Sequence, residues 1–398
     1  MPEATSFPNP WAFDPRVRYD GSVYYLAGEV LVGAEPEGPR VVSNRLREFN
    51  AVQIDEDNPL SEYVTRWVLP PGRSVTRTLR ELRSLPGETR VGVNHVYAAS
   101  RERIPVIGQP KLHGGAGDDP VPAPEVVASG SGGRVVRVAV VDTGLDPNAM
   151  TLPLFRDHQR HGVHEPDAVY ENAAARQIGL MGGHGTVVAG IIARYAPEVH
   201  LSSIQVLSVA GITDDVTLAN AVQRAFDGGA EIVNLSLGCV YDGSLGPLAL
   251  DAVLSNRPAG TVVVAAAGNV EKPEPNFYPA DRSDVIAVAA MNTAVVPAVP
   301  AGFSNTAPWV DVCAPGVMLH STYVVGTWRY GATPQTFNGY VAWSGTSFAT
   351  PYVVARIAST TGAGQTAEAA ANNLLTLPPL HGVPGYGLYL EAPPDPTL

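Results

Sequence analysis

The chain has 398 residues, of which 45% are hydrophobic and 16% are charged, with a formal net charge of −12. This composition is typical of a globular protein with a large core, the length exceeds that of one typical domain, and the negative charge argues against nucleic acid as a partner. No apolar stretch reaches the roughly 18 residues of a membrane span. The two cysteines, Cys239 and Cys313, allow at most one disulfide, and two buried thiols are favoured over a bridge.

The N-terminal sequence MPEATSFPNPWAFDPRVRYD has no basic segment followed by an apolar one, so it does not predict a secretory signal. We therefore expect a cytoplasmic protein, unless translation starts further upstream. Residues 1–22 are rich in proline and polar residues, and we expect them to form an N-terminal extension that wraps loosely around the rest.

Residues 23–100 predict a small α+β domain with the order β-α-β-β-α-β, the ferredoxin-like plan. Its predicted elements are a strand over Tyr24–Gly33, a helix with a serine cap over Ser43–Asn50, a hairpin of AVQI and EYVTRWVLP, a helix over Ser74–Gly87 and a strand over Thr89–Tyr97. The second helix is clearly amphipathic, because Val75, Leu79 and Leu82 share one face.

Residues 101–133 are dense in glycine, proline and serine, as in GGAGDDPVPAP and SGSGG, and predict a linker. From residue 134 to 398 the pattern changes to alternating apolar strands and helices. The first strand, Val135–Asp142, is apolar throughout, as in a sheet that is buried on both faces. This alternation predicts an α/β domain with a doubly wound, mostly parallel sheet.

Four polar residues lie where such a sheet places its chemistry, at the carboxyl ends of strands and the starts of helices. Asp142 ends the first strand, His184 opens a helix, Asn269 follows a later strand and Ser347 opens the last long helix. We expect Pro351 to be tolerated in that helix because it lies in the first turn. Each residue alone is equally typical of a helix cap or a turn, but the four together predict a nucleophilic serine site.

Six sequence blocks resemble those of the subtilisin-like serine proteases. They are VVDTGLDP, GHGTVVAGII, NLSLG, AAAGN, FSNTAPWVDVCAPG and SGTSFATPYVVA, and they cover roughly residues 135–360. Their order of Asp, His and Ser is the order of that family. The resemblance implies that Ser347 is the nucleophile, His184 its base and Asp142 the residue that orients the base. It also implies that the Asn269 amide and the Ser347 backbone N–H stabilise the oxyanion.

The resemblance further implies a cleft for an extended peptide. The edge strand Ser236, Leu237, Gly238 would pair with the substrate backbone, as in β-augmentation. The other wall would consist of Ser208, Val209, Ala210 and Gly211, and Ala267 and Gly268 would form the floor beside the bond to be cut.

Residues 23–100 also resemble the prodomain of these proteases, in GEVLVG, LPPGRSVTRTLRELRSLPG and VNHVY. This resemblance implies a folding chaperone and inhibitor whose C-terminal tail lies in the cleft of the catalytic domain. We expect a self-inflicted cut after Tyr97 or within Ala98–Pro124. Because the linker is longer than the family's compact version, a module that stays attached as a regulator is the open alternative.

No cofactor or metal is predicted. His158, His161 and His164 have no common zinc spacing and are typical of a solvated loop. The stretch GIIARYAPEVHLSSIQVL passes from helix to strand without the calcium-binding loop of many secreted relatives, so we expect that calcium site to be missing.

The leading hypothesis is a serine endopeptidase that acts on extended peptides or proteins and is regulated or processed through its own N-terminal module. One alternative is a dedicated maturation protease that removes a leader from one peptide precursor. Another is an inert protease fold that acts only by binding, which four intact catalytic groups argue against.

Overall fold

The computed structural model describes residues 9–34, 38–54, 58–87, 90–99, 110–111, 125–126, 134–155, 162–243, 246–270, 276–331, 333–376 and 382–391. Most of the predicted linker 101–133 lies outside these ranges. Two short pieces of the linker, residues 110–111 and 125–126, are described. In the first piece, Lys111 exchanges backbone hydrogen bonds with Ala342 of the catalytic domain.

The N-terminal module has the predicted β-α-β-β-α-β order. Its elements are strands β2 (Tyr24–Gly33), β3 (Val52–Ile54), β4 (Val64–Val68) and β5 (Val91–Ala98), and helices α1 (Gly38–Glu48) and α2 (Val75–Arg83). Ser74 caps α2 by accepting from the Arg77 backbone N–H, and Val75, Leu79 and Leu82 are all buried against the sheet. The prediction that α1 begins at Ser43 was wrong, because the helix already includes the Gly38–Val42 segment and Ser43 lies in its interior.

The N-terminal extension is ordered where it is described, so the expected loose wrapping was wrong for residues 9–22. A short 3-10 helix, Pro10–Phe13, is followed by strand β1 (Val17–Tyr19), which pairs antiparallel with β2. The Trp11 side chain is 7% exposed and stacks on Tyr24 with ring centroids 4.2 Å apart. Burial of this large ring holds the extension against the module.

The catalytic domain is built on a nine-stranded sheet that is mostly parallel, which confirms the predicted fold class. The order along the sheet is β20 (Gly382–Val383), β21 (Gly387–Tyr389), β17 (Val312–Pro315), β15 (Ile286–Asn292), β13 (Val262–Ala266), β11 (Ile232–Leu235), β6 (Arg137–Asp142) and β9 (His200–Gln205), with β16 (Val299–Pro300) beside β15. Its central strands are buried on both faces, which explains their unbroken apolar sequences.

In the described part of this domain, five α-helices accompany the sheet: α3 (His184–Tyr195), α4 (Asp215–Asp227), α5 (Leu248–Ser255), α6 (Thr346–Thr360) and α7 (Ala367–Thr376). The central helix α6 packs on strands β11, β13, β15 and β17 and on helix α3. The connection from α3 to β9 is only residues 196–199, as the sequence predicted. Apart from the sheet, the domain contains β7 (Tyr170–Asn172), β8 (Gln177–Ile178), β10 (Ile212–Asp214), β12 (Cys239–Val240), β14 (Phe277–Tyr278), β18 (Leu319–Trp328) and β19 (Gln335–Trp343).

Pro351 lies in the second turn of α6, not in the first turn as predicted from the sequence. A proline there has no N–H to give to the carbonyl oxygen four residues earlier, which belongs to Ser347. That carbonyl oxygen instead accepts a 2.7 Å hydrogen bond from the Ser236 hydroxyl. The helix tolerates the proline because a side chain from a neighbouring segment satisfies the freed acceptor.

The N-terminal module and the catalytic domain share one sheet. Strand β5 pairs on one side with β2 of its own module and on the other side, antiparallel, with β10 of the catalytic domain. Polar contacts reinforce the junction: Asn94 donates to Asp214, and Arg90 forms an ion pair of 3.0 Å with Asp251. All eight residues of β5 are buried as a result.

None of the helices in the described ranges combines the length and the apolar character that crossing a membrane would require.

Candidate active site

Asp142 and His184 form a buried pair at the carboxyl edge of the parallel sheet. The His184 Nδ1 atom lies 2.8 Å from Oδ1 and 3.0 Å from Oδ2 of Asp142, and the two side chains are 1% and 0% exposed. The Asp142 carboxylate also accepts a hydrogen bond from the Thr143 backbone N–H. A carboxylate on Nδ1 fixes the tautomer of the ring and leaves Nε2 as the proton acceptor.

The start of helix α3 aims the imidazole. Gly183 caps the helix with a φ of +84°, and a Cβ there would come within 2.6 Å of the Tyr323 ring, so only glycine fits. The Asp167 carboxylate accepts from the Gly183 N–H and from the Thr186 hydroxyl and N–H, which anchors the first turn. The neighbouring ring of Trp343 meets His184 edge-on.

Ser347 is the second residue of α6 and is 3% exposed. Its hydroxyl lies 3.3 Å from the carbonyl oxygen of Ser236 and 3.4 Å from that of Ala99. Ala99 directly follows β5, so the end of the N-terminal module lies beside the serine. The backbone N–H groups in the first turn of α6 supply positive potential beside the hydroxyl.

Asn269 is held by one end of its amide. Its Oδ1 atom accepts from the Thr346 backbone N–H at 2.8 Å and from the Thr346 hydroxyl at 3.0 Å. This fixes the orientation of the amide and leaves Nδ2 as the end that can donate to a ligand. Asn269 lines the same cavity as Ser347, so an oxygen in that cavity has a donor available from each residue.

The tail of the N-terminal module, Ala98 and Ala99, lies between two segments of the catalytic domain beside Ser347. The backbones of Ala98 and Gly238 exchange two hydrogen bonds, of 3.0 and 3.1 Å, and the Ala99 N–H donates to the Gly211 carbonyl oxygen at 3.0 Å. The tail is thus an extended strand between two walls of the catalytic domain, the geometry of β-augmentation.

Most residues predicted for the cleft lie along it. Leu237, Gly238 and Gly268 line the cavity beside Ser347. The Ser236 hydroxyl donates to the carbonyl oxygen of Ser347. On the other wall, Gly211 binds the tail, Ala210 packs with Val96 and Ala98, and Ser208 and Val209 hold this wall through backbone bonds to Ile212 and Met181.

Ala267 does not line the cavity; its neighbours Ala266 and Gly268 do. Its backbone N–H bonds to Val288 and its carbonyl oxygen accepts from the Asn305 side chain, so this residue belongs to the sheet core.

Sequence reasoning missed four residues that contribute to the site. Thr346 orients Asn269, Ala99 contacts the nucleophile, Trp11 lines the cavity, and Asp215 binds the Tyr97 hydroxyl. The sequence carried a signal for two of them, since Thr346 directly precedes Ser347 and Ala99 lies within the range predicted for the self-inflicted cut.

The two cysteines are free and buried, as predicted, and burial raises the pKa of the Cys313 thiol to about 12. Among the described residues there is no group of three or more His, Cys, Asp or Glu side chains that could hold a metal ion. His158 and His161 of the predicted solvated loop lie outside the described ranges.

Comparison with known proteins agrees with this geometry. The subtilase family profile matches residues 133–372. Thermitase from Thermoactinomyces vulgaris is 35% identical over 60% of this chain and 78% of its own length. A thermophilic serine proteinase from Bacillus sp. strain AK1 is 35% identical over 57% of this chain and 52% of its own length. Subtilisin E from Bacillus subtilis is 28% identical over 70% of this chain and 66% of its own length.

Among solved structures, the fold is similar to that of fervidolysin from Fervidobacterium pennivorans, a keratinolytic enzyme related to subtilisin. The match has a TM-score of 0.59 at 22% identity and covers 90% of this chain and 58% of that chain. The chain therefore belongs to the subtilase family, and residues 133–372 form its subtilisin-like serine endopeptidase domain.

Proposed function

We propose that this chain is a self-inhibited serine endopeptidase whose N-terminal module holds its own tail in the cleft as a substrate-like strand. The observation that carries the proposal is the pairing of Ala98 with Gly238 and of Ala99 with Gly211, which places the Ala99 carbonyl oxygen 3.4 Å from the Ser347 hydroxyl. An extended substrate would be bound by the same backbone groups, so the tail and the substrate compete for one site.

In the reaction, Ser347 Oγ attacks the carbonyl carbon of a bound peptide and His184 Nε2 takes its proton. His184 then gives the proton to the leaving amine, and water completes the hydrolysis of the acyl-enzyme by the same route. Asp142 holds the ring and stabilises the imidazolium. The Asn269 Nδ2 donor and the Ser347 backbone N–H stabilise the oxyanion.

The tail also identifies the bond that the enzyme would cut in itself. Ala99, directly after β5, is the last described residue before the linker, and its carbonyl oxygen lies 3.4 Å from the Ser347 hydroxyl. We therefore place the self-inflicted cut at Ala99–Ser100 or at the bond that follows, inside the range predicted from the sequence. After the cut the module remains bound through β5 until it dissociates.

The test is the intact mass of the purified full-length chain beside the Ser347→Ala variant, with Ser359→Ala, at the far end of the same helix, as the matched control. Wild type and Ser359→Ala should yield new N-termini at Ser100 or Arg101, and Ser347→Ala should stay whole. Identical cleavage of Ser347→Ala would show that another protease makes the cut.

If all three chains stay whole, a fluorophosphonate probe decides. Labelling of Ser347 would show that the chain is a regulated peptidase whose module stays attached. No labelling at any probe concentration would show that the chain is an inert protease fold.

A further inference from the structure

We propose that Asp215 is a specificity-determining residue of the catalytic domain: in the side-chain pocket beside the start of α4, its carboxylate accepts from the phenol hydroxyl of a substrate tyrosine. The pocket is now filled by Tyr97 of the inhibitory strand. This inference rests on the proposed function, because it assumes that a substrate binds in the register of that strand.

Tyr97 is the most deeply buried part of the tail. Its side chain is 0% exposed, and its hydroxyl donates a 3.1 Å hydrogen bond to Oδ1 of Asp215. Burial, and next the nearby carboxylate, raise the pKa of Tyr97 well above its ordinary value, so the phenol keeps its proton and is the donor. A polar group that deep is tolerated only because it is paired.

Asp215 is a fixed part of the catalytic domain. It is the first residue of α4 and is 0% exposed, and its carboxylate accepts from the backbone N–H groups of Ala249 and Leu250 in the first turn of α5. Burial raises the pKa of Asp215 to about 7, and these two donors and the Tyr97 hydroxyl each oppose that shift by favouring the ionised form. The two backbone donors do not saturate the carboxylate, because a carboxylate has about four acceptor sites.

A substrate that replaces the tail would bind to Gly238 and Gly211 through the same backbone bonds. Since that pairing fixes the register, the residue two positions before the one that contacts Ser347 would enter the pocket of Tyr97. A tyrosine there restores the third hydrogen bond of Asp215. A phenylalanine fills the same volume but leaves the buried carboxylate one donor short, and such a site discriminates against the ligand that lacks the hydroxyl.

The test is a competition between internally quenched peptides with the sequence of residues 94–103, NHVYAASRER, which spans both candidate bonds. The native peptide competes in one tube with its Tyr97→Phe form and with a form carrying 4-aminophenylalanine, an N–H donor of similar size. Full-length protein is used as purified. The ratio of kcat/KM values in competition does not depend on how many enzyme molecules are inhibited.

We expect the tyrosine peptide to be cut about 10- to 100-fold faster than the phenylalanine peptide, with the 4-amino form closer to tyrosine. In the Asp215→Ala variant, which removes the acceptor, the tyrosine-to-phenylalanine ratio should fall to about one to three. Asp214→Ser, which removes the neighbouring carboxylate but keeps a helix cap, should retain the wild-type ratio.

Equal cleavage of the three peptides by wild type would overturn the tyrosine pocket and leave the peptidase intact. Labelling of Ser347 by a fluorophosphonate without cleavage of any of the peptides would also overturn the pocket. Neither labelling nor cleavage would overturn the proposed function together with it. The wild-type comparison decides even if Asp215→Ala fails to fold, because the change is made in the peptide.

Discussion

The hydroxyl of Ser236 donates a 2.7 Å hydrogen bond to the carbonyl oxygen of Ser347. Pro351, four residues further along the helix, has no backbone N–H to donate to that oxygen. Ser236 in turn accepts from Asn234 at 2.9 Å. A residue of the substrate-binding edge thus completes the helix that carries the nucleophile, so the position of the serine depends on the cleft wall.

We expect Ser236→Ala to lower the free energy of unfolding by about 1–3 kcal/mol, because it leaves the buried Ser347 carbonyl without a donor. Urea unfolding in a Ser347→Ala background, which prevents self-digestion, would measure this loss. Adding Pro351→Ala should recover at least half of it, since the new backbone N–H supplies the missing bond. A double variant as unstable as the sum of the two single variants would contradict this account.

Asn269→Leu should lower kcat by about 10²–10³ with little change in KM, because the amide is needed for the charge that develops in the transition state. Steady-state kinetics on any peptide that wild type cuts would show this. Thr346→Val should cause a smaller loss, and Thr346→Ser, which keeps a hydroxyl for Asn269 Oδ1, should restore most of it. A loss that appears only in KM would assign Asn269 to ground-state binding.

Trp11→Ala should open the cleft. The ring packs with Val96, Ala98 and Ile212 and lines the cavity beside Ser347, so its removal should weaken the binding of the end of β5 beside Ser347. We expect a fluorophosphonate to label Ser347 at least tenfold faster, since truncating a buried tryptophan costs about 3–5 kcal/mol in a packed core. Phe13→Ala, in the same 3-10 helix but 37% exposed, should label like wild type. Equal rates for both variants would show that Trp11 does not restrain the tail.

Acid should weaken the strand that fills the cleft. Burial lowers the pKa of His95, which is 5% exposed, from 6.5 to about 4; Arg83 acts in the same direction, whereas Asp242 and Asp20 oppose the shift. Between those values the unfolded strand binds a proton that the folded strand does not. The free energy of unfolding that is present above pH 6.5 therefore decreases as the pH falls, by up to about 3 kcal/mol at pH 4.

Hydrogen exchange of the β5 peptide, corrected for intrinsic rates, measures this opening free energy between pH 7 and pH 4. His95→Gln, which stays neutral, should flatten the pH dependence, so the difference between the wild-type and variant curves should change as the pH falls from 7 to 4. Parallel curves over the whole range would exclude His95 as the source.

The fold and the catalytic groups could be predicted because they depend on local patterns. Unbroken apolar strands that alternate with helices define the parallel sheet, and Asp142, His184, Asn269 and Ser347 each lie at an element boundary within a short motif. The start of α1 was placed too late because Ser43 is a good helix cap by type, whereas the helix begins at Gly38 with Pro39 in its first turn, where a proline is tolerated.

The remaining parts of the site could not be predicted because they join residues that are distant in the sequence. Nothing near Tyr97 indicates that its hydroxyl reaches Asp215, and nothing near Trp11 indicates that an extension rich in proline packs over the inhibitory strand. The role of Ser236 required the structure too, because it follows from the missing N–H of Pro351, more than a hundred positions away.

Strand β5 and its partner β10 lie on one polypeptide, so the N-terminal module and the catalytic domain meet at the high effective concentration of a tethered pair. A cut after Ala99 turns that encounter into a bimolecular one, although every contact in the cleft is initially unchanged. From then on the degree of inhibition depends on how much protein is present. Under the proposed function, a concentrated preparation of the cut chain would therefore be less active per molecule than a dilute one, and dilution alone would activate the enzyme.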